Sequence, residues 1–187
     1  VFINQGQVDV AAGRAMSING AGQTFRQESG SILADGGLHV LDATTLLLGG
    51  AVAGGLGRIY ARNGSVTFAA GATGGVLARG TVTLASDIFV GQWLTLEGDG
   101  GVGHATLNHA GPLANGGALT LTTNTVYYNA TVNSGTITNT GSITSAGGST
   151  SRTINATLLN QGVFTAGYPV TLGVAGAAHV NDGLFNV

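Results

Sequence analysis

The sequence of 187 residues contains no cysteine, no lysine and only two prolines. Without cysteine, the chain can form neither a disulfide framework nor a thiolate metal site. Charged residues make up 7% of the chain, against about a quarter in a typical globular domain. The six basic residues are scattered arginines and the net charge is −2. The sequence therefore lacks the clustered cations that bind nucleic acid or an anionic membrane.

Long apolar runs are also missing. The longest apolar stretch, Leu46 to Leu56, is interrupted by glycines and is too short to insert into a bilayer as a spanning helix. The chain begins at Val1, with no initiator methionine, no basic leader and no apolar leader segment. We therefore expect a processed product or a piece of a longer protein.

The sequence is rich in glycine, with 34 residues, and one short phrase recurs in it. The phrase is an apolar residue followed, directly or one position later, by asparagine, any residue and glycine. Its clear copies are Phe2-Ile3-Asn4-Gln5-Gly6, Ile137-Thr138-Asn139-Thr140-Gly141, Leu159-Asn160-Gln161-Gly162 and Val180-Asn181-Asp182-Gly183. The glycines of the last three copies are evenly spaced. Such a constant period is typical of a solenoid, in which each coil buries its apolar face by stacking on its neighbours.

Looser copies of the phrase surround Gly30, Gly64, Gly80 and Gly117. Spacings between successive copies vary between roughly 16 and 24 residues, which loops in a solenoid can absorb. At about 20 residues per coil, the sequence predicts a single all-β solenoid domain over residues 1–187, with about nine coils. Because stacked strands lie about 4.8 Å apart, the rod would be about 43 Å long.

Short segments of alternating apolar and β-branched residues lie between the glycines and predict strands. The apolar residues that alternate after each glycine are expected to point into the coil: Val8, Val10, Val66, Phe68, Val82, Leu84, Leu119, Leu121, Val163 and Leu184. Glycine is expected to supply left-handed backbone at the corners, and asparagine to stack on the asparagine of the next coil as an amide ladder. The residues assigned to these turns and ladders are Asn4, Gly6, Asn139, Gly141, Asn160, Gly162, Asn181 and Gly183.

Two segments carry a resemblance to a known family. Residues 137–144 (Ile-Thr-Asn-Thr-Gly-Ser-Ile-Thr) and 155–167 (Asn-Ala-Thr-Leu-Leu-Asn-Gln-Gly-Val-Phe-Thr-Ala-Gly) resemble repeats of filamentous-haemagglutinin-type and autotransporter-like bacterial adhesins. The resemblance extends over residues 115–187 and 1–35. It implies a right-handed parallel β-helix that is exported and displayed at the bacterial cell surface, as a segment of an adhesin stalk or a subunit of a fibre.

Residues suited to catalysis are sparse. Parallel β-helices that bind or cleave polysaccharides cluster carboxylates on one face, and such a protein is the alternative to a structural role. Here the eight acidic residues are scattered, and only Glu97 and Asp99 are spaced to share a strand face. We interpret them as solvated corner residues and predict that the protein is not an enzyme. Trp93 and one of Tyr127 and Tyr128 could stack on surface glycans, but core or corner packing is the simpler interpretation.

Metal-binding signals are weak as well. Residues 98–104 resemble a calcium-binding nonapeptide, which functions only in tandem copies and occurs here once. His104 and His109 are separated by a spacing that is not diagnostic of a metal site. We therefore predict no metal and no cofactor.

An ice-binding face is a further possibility, because the sequence contains four Thr-x-Thr pairs. Such a face needs one pair per coil in register. The pairs begin at Thr81, Thr120, Thr123 and Thr136, and these irregular spacings disfavour ice binding.

The two ends of the sequence both lie inside a copy of the phrase. Uncovered terminal coils expose strand edges that can pair with another strand. We therefore expect head-to-tail association, either with further copies of the chain or with flanking solenoid of the same chain. The predicted polymer interface consists of Val1, Phe2, Ile3, Leu184, Phe185 and Val187.

Overall fold

The computed structural model describes residues 1–42, 45–53 and 58–187. These ranges form β-strands and no helix, and so contain no helix long and apolar enough to cross a membrane. In chain order the strands are β1 Phe2–Asn4, β2 Gln7–Val10, β3 Ala15–Asn19, β4 Thr24–Gln27, β5 Ser31–Ala34, β6 Gly37–Leu41, β7 Thr45–Leu48, β8 Ala51–Ala53, β9 Ile59–Arg62, β10 Ser65–Phe68, β11 Gly74–Arg79, β12 Thr81–Leu84, β13 Gln92–Gly98, β14 Ala105–His109, β15 Leu113–Asn115, β16 Ala118–Thr123, β17 Ala130–Asn139, β18 Ser142–Ser145, β19 Arg152–Asn160, β20 Val163–Ala166, β21 Val170–Leu172, β22 Val180–Asn181 and β23 Leu184–Asn186.

The strands pair in parallel and build three faces of a solenoid. The first face runs β1-β4-β7-β10-β12-β14, continues through the first halves of β17 and β19, and ends with β21. The third face runs from β3 to β23 in a sheet of nine strands. Between them in each coil lies the second face. It contains β2, β5 and β8 and, further along the chain, β15, the second halves of β17 and β19, and β22. The predicted all-β solenoid is thereby confirmed.

Coil length varies along the solenoid while the strand register is kept. The nine strands of the third face mark nine levels, joined by about eight turns, which is close to the predicted number of coils. The sequence step between levels is smallest where Tyr60 pairs with Leu77, and it is much larger where Ala105 pairs with Ala130. The loops at the corners absorb these differences, because only the strands must remain in register.

The core is a continuous column of apolar side chains inside the coils. Val10, Val66, Phe68, Val82, Leu84, Leu119 and Leu121 are buried there as predicted, and Val8 packs against the same cluster. The prediction that Val163 and Leu184 point inward is wrong, since both are exposed; the inward position is the next residue in each strand. Phe164, which is 0% exposed, points inward instead, and Phe185 stacks on it with ring centroids 4.7 Å apart. Alternation could not choose between two adjacent apolar residues, whereas corner geometry places the second residue after the glycine inside.

The recurring phrase lies at different corners of the solenoid. Gly6 precedes β2, at the corner between the first and second faces, whereas Gly141, Gly162 and Gly183 precede third-face strands. Gly80 precedes β12, at the corner between the third and first faces. The variable spacing of the looser copies arises partly because they belong to different corners.

The corner glycines before the last four third-face strands, Gly117, Gly141, Gly162 and Gly183, are required by close stacking and not by left-handed backbone. Positive φ does occur, for example at Gly80. Gly6, Gly141, Gly162 and Gly183 have no positive φ, which corrects the predicted role of these residues. A Cβ on Gly141 would lie 2.7 Å from the carbonyl carbon of Gly116 in the preceding coil, and closer still to the carbonyl oxygen of Gly117. Glycine is needed here because the backbones of successive coils approach too closely for any side chain.

Candidate functional site

A buried amide ladder connects the last four coils. We call Asn115, Asn139, Asn160 and Asn181 the internal asparagine ladder. Each Nδ2 donates to the Oδ1 of the next asparagine, at 2.7, 2.6 and 2.6 Å along the series. The second hydrogen of each donating amide is also used, as in the 2.9 Å bond from Asn115 to the carbonyl of Ser142. The first three side chains are at most 1% exposed, so the ladder stabilises the coils from inside and is not open to a ligand.

The ladder starts at Asn115 because the preceding coil places Ile88 in register with it. Oδ1 of Asn115 consequently lies buried without a hydrogen-bond partner. At the other end of the molecule, Asn4 donates to Oε1 of Gln27 at 2.7 Å. This pair belongs to the first face, so Asn4 is not part of the internal asparagine ladder.

Replacing one ladder residue should destabilise the fold. Asn139→Leu leaves an amide hydrogen of Asn115 and Oδ1 of Asn160 unpaired, and we expect the free energy of unfolding to fall by about 1–3 kcal/mol. Asn133→Leu is the matched control, because Asn133 also bonds to asparagines of both neighbouring coils but lies on the partly exposed first face. Water can replace its bonds. Urea denaturation followed by circular dichroism compares the two, and equal shifts would show that the internal ladder has no special role.

The predicted polymer-interface residues lie at the two ends of the solenoid. All six are exposed, from 41% for Phe185 to 102% for Val187. Phe2 stacks on Phe25, with ring centroids 5.4 Å apart and the planes inclined by 10°. Phe2 belongs to the first face and Phe185 to the third, so continuation of the coil would not place these two rings on each other.

The densest group of charges lies on the third face, where we define a charged groove lined by His39, Leu41, Tyr60, Ala61, Arg62, Arg79 and Val102. Its volume is about 250 Å³. Arg79 forms an ion pair with Glu97 and a second one, at 3.3 Å, with Asp99. The guanidinium carbon of Arg79 also lies 5.1 Å from the centre of the Tyr60 ring. The charges come together because β9, β11 and β13, which belong to three successive coils, are neighbours in the sheet.

The interpretation of Glu97 and Asp99 as solvated corner residues is wrong. Both are only 8% exposed. Burial acts to raise the pKa of Asp99, but hydrogen bonds from Asn124 and the backbone of Gly101, with the charge of Arg79, outweigh it and lower that pKa. Sequence reasoning missed this cluster because the partner, Arg79, is one coil away.

Arg62, which also lines the groove, forms a further ion pair with Asp42. Nε of Arg62 donates to Oδ1 of Asp42 at 3.1 Å, and this bond lowers the pKa of Asp42. His39 contacts Tyr60 edge to face, with ring centroids 4.8 Å apart. Burial and then the charges of Arg79 and Arg62 lower the pKa of His39, which favours the neutral imidazole. The groove is therefore a set of internally compensated charges.

The histidines considered for metal binding have other contacts. Nδ1 of His104 accepts a hydrogen bond from the backbone of Asn129 at 3.0 Å, and its ring meets Tyr128 edge to face. His109 lies in β14, with Nδ1 3.4 Å from the carbonyl oxygen of Gly111. Within the described ranges, no three His, Asp or Glu side chains are grouped closely enough to hold a metal ion.

Sequence reasoning also missed a buried cation. Arg152 is 0% exposed, and its guanidinium donates to the backbone carbonyls of Thr150 and Ala146, the latter at 2.7 Å. The Tyr168 ring lies 5.4 Å from the guanidinium carbon. Burial lowers the pKa of Arg152. Nε has no hydrogen-bond partner. The carbonyl bonds give this arginine a structural role at the start of β19.

The aromatic residues proposed for sugar stacking are dispersed. Trp93 lies on the third face, where its Cα partner Gly75 leaves room for the indole. Tyr127 is 77% exposed and Tyr128 is partly buried, so only one of the pair projects fully into solvent.

The four Thr-x-Thr pairs do not form one array. Thr81 and Thr83 lie on the first face, Thr120 on the third, and Thr136 on the second. Thr123 is buried and bonds to the carbonyl of Thr125 in a turn.

Comparison of the chain with models of protein families, with curated proteins and with solved structures finds no match. Function is therefore inferred from these residues and their geometry.

Proposed function

We propose that the protein is an extracellular structural and adhesive solenoid, a segment of a bacterial surface fibre or adhesin stalk whose coils stack end to end. The surface location is supported by the resemblance of residues 115–187 to adhesin repeats. The structural role is supported by the parallel strand pairing that joins successive coils, and by the amide ladders and close glycine stacking that reinforce it in the C-terminal coils.

The observation that carries the proposal is the composition of the two axial surfaces. At one end, Phe185 covers Phe164 but keeps 41% of its own surface exposed, and the neighbouring Leu184 is 54% exposed. At the other end, Phe2 and Ile3 are 44% and 52% exposed. Each residue sits where another coil would cover it. Burying such a side chain contributes roughly 1.5–3 kcal/mol.

Continuation of the solenoid specifies how two copies would meet. The last strands of the three faces, β21, β22 and β23, would pair in parallel with β1, β2 and β3 of the next copy. The two surfaces differ, so the contact is heterologous and builds an open filament when the rotation does not close. Flanking solenoid of the same chain would use the same strand edges.

The charged groove favours this structural role over polysaccharide cleavage. Glycoside hydrolysis requires one carboxyl group to be protonated as the general acid while the other is ionised. Glu97 and Asp99 share one guanidinium, and the pKa of Asp99 is lowered, so Asp99 is poorly suited to donate a proton. The pair fits better as a clamp between neighbouring coils.

Sedimentation velocity over a range of concentrations tests the proposal. We expect the wild-type chain to form elongated oligomers, visible as rods by electron microscopy. Phe185→Lys should dissociate them, because a charge would be buried at the contact. Val90→Lys is the matched control: Val90 is 80% exposed but lies in the loop between β12 and β13, in the middle of the solenoid and away from both ends. A wild-type chain that stays monomeric at high concentration, or equal effects of the two substitutions, would contradict axial association of copies.

A further inference from the structure

Five threonines form a straight column on the first face. Each is paired in parallel register with the next, although every one of them comes from a different coil. The threonine column consists of Thr81, Thr106, Thr131, Thr153 and Thr171. Since neighbouring strands lie about 4.8 Å apart, the column repeats one hydroxyl and one methyl group at that interval.

A second column runs beside the first, two positions further along each strand and therefore about 6.7 Å away. It begins with Thr83 and continues with Asn108, Asn133 and Asn155. These asparagines are joined by Nδ2 to Oδ1 bonds of 2.8 and 2.9 Å. The bonds hold the amide groups in one orientation, so the second column is a rigid edge and not a set of independent rotamers.

The hydroxyl groups of the threonine column are free for solvent. Among the described residues, no protein group forms a hydrogen bond with any of these five hydroxyl groups. The five side chains are exposed or half-buried. Each hydroxyl can both donate and accept a hydrogen bond. The column is therefore an unpaired polar lattice on a preorganised strand surface.

This part of the first face carries no outward charge. Among the strands β12, β14, β17, β19 and β21, the one residue of type Asp, Glu, Lys or Arg is Arg152, which is fully buried. The same strands contain no Phe, Tyr or Trp. A charged side chain would hold its own hydration shell, and aromatic rings are the usual flat platform for sugars. The lack of outward charges argues against a charged ligand, and the lack of aromatic rings argues against a sugar.

We propose that the threonine column and the adjoining asparagine column form an ice-binding face. The repeats of about 4.8 Å across the coils and about 6.7 Å along the strands approximate the spacing of water oxygens on a face of hexagonal ice. Waters held by the hydroxyls and ordered around the methyl groups can merge with the crystal surface. The fold has already ordered the binding groups, so binding costs little further entropy. This activity is independent of axial association.

The irregular spacing of the Thr-x-Thr pairs therefore does not exclude ice binding. Those pairs are divided among three faces, whereas the proposed array is made of one threonine from each of five coils. Coils of unequal length disguise the array in the sequence, because the corner loops differ and the strands stay aligned.

Ice adsorption of the purified chain tests this inference, with thermal hysteresis and inhibition of ice recrystallisation as readouts. We expect activity from the wild type and loss of most of it in Thr131→Tyr, whose ring would stand above the middle of the array. Thr144→Tyr is the matched control. Thr144 is half-buried and belongs to a shorter threonine column on the third face, where it pairs with Thr120 and Thr165. The column beside it contains the exposed Trp93 and Val163 in place of a row of asparagines, so the third face lacks the second half of the proposed array. The Thr144→Tyr variant should retain activity.

Circular dichroism and melting temperature confirm that both variants fold. In a gentler pair, Thr131→Val replaces the hydroxyl with a methyl group and Thr131→Ser removes the methyl group; both should weaken binding without unfolding. A wild-type chain that neither adsorbs to ice nor changes its growth would overturn the proposal. Equal losses in the two tyrosine variants would overturn the assignment to the first face. Adsorption to crystalline cellulose or chitin in place of ice would overturn it too, and would show a polysaccharide-binding face.

Discussion

Gly117→Ala is expected to lower the free energy of unfolding by about 3 kcal/mol or more, the upper range for forcing atoms into a packed interior. A Cβ at this position would lie 2.5 Å from the carbonyl oxygen of Phe89 and closer still to that of Gln92. Both obstacles are backbone atoms of the preceding coil, so no side-chain rotation can relieve the clash. The two coils would have to separate, which breaks the strand pairing around them.

The neighbouring glycine provides the control. A Cβ on Gly116 would have its nearest atom at 3.5 Å, an ordinary contact, and Gly116 has no positive φ. Gly116→Ala should therefore leave stability unchanged or raise it by about 0.4–1 kcal/mol, through the lower entropy of the unfolded chain. Thermal and urea unfolding of the two variants measure the difference. Equal stabilities would mean that the coils do not stack as closely as described.

Leu121→Asp is expected to remove the folded state of the surrounding coils. Leu121 is 1% exposed and lies in register between Leu96 and Ser145. An unpaired carboxylate there, with the cavity left by the leucine, costs at least about 4 kcal/mol. Because each coil contacts only its neighbours, loss of structure should spread from β16 to the coils on either side.

Thr120→Asp is the control for this variant. Thr120 is the preceding residue, points outward, and is flanked by Thr95 and Thr144. We expect an effect of about 1 kcal/mol or less, since the new carboxylate can reach water. Far-ultraviolet circular dichroism and hydrogen exchange of the two variants separate global unfolding from local loosening. A Leu121→Asp protein with the wild-type spectrum and melting temperature would contradict the inward direction of Leu121.

The sequence predicts the strands and their inward faces correctly where polar and apolar residues strictly alternate. In Leu119-Thr120-Leu121 the alternation predicts both the strand and its inward side, and the structure agrees. The prediction was wrong at Val163, where two apolar residues are adjacent. Phe164 is inside because the preceding corner sets the direction of the strand, and a corner is formed by stacking between coils.

The candidate sites were harder to predict because their members come from different coils. Glu97 and Asp99 have no basic neighbour in sequence, and their partner Arg79 reaches them only across the sheet. The threonine column has the same origin, since the sequence intervals between its successive members become shorter towards the C-terminal end and so give no constant period over the whole column.

Local sequence features were enough to specify the class of fold, the approximate number of coils and most of the inward residues. Those properties depend on composition, glycine spacing and alternation, which the chain carries in each segment. The stacking of the coils in three dimensions was needed to establish which corner each glycine occupies, which charges meet, and which threonines align. These depend on the register between strands of successive coils, and that register is set by backbone pairing and close stacking, while the loops between the strands vary in length.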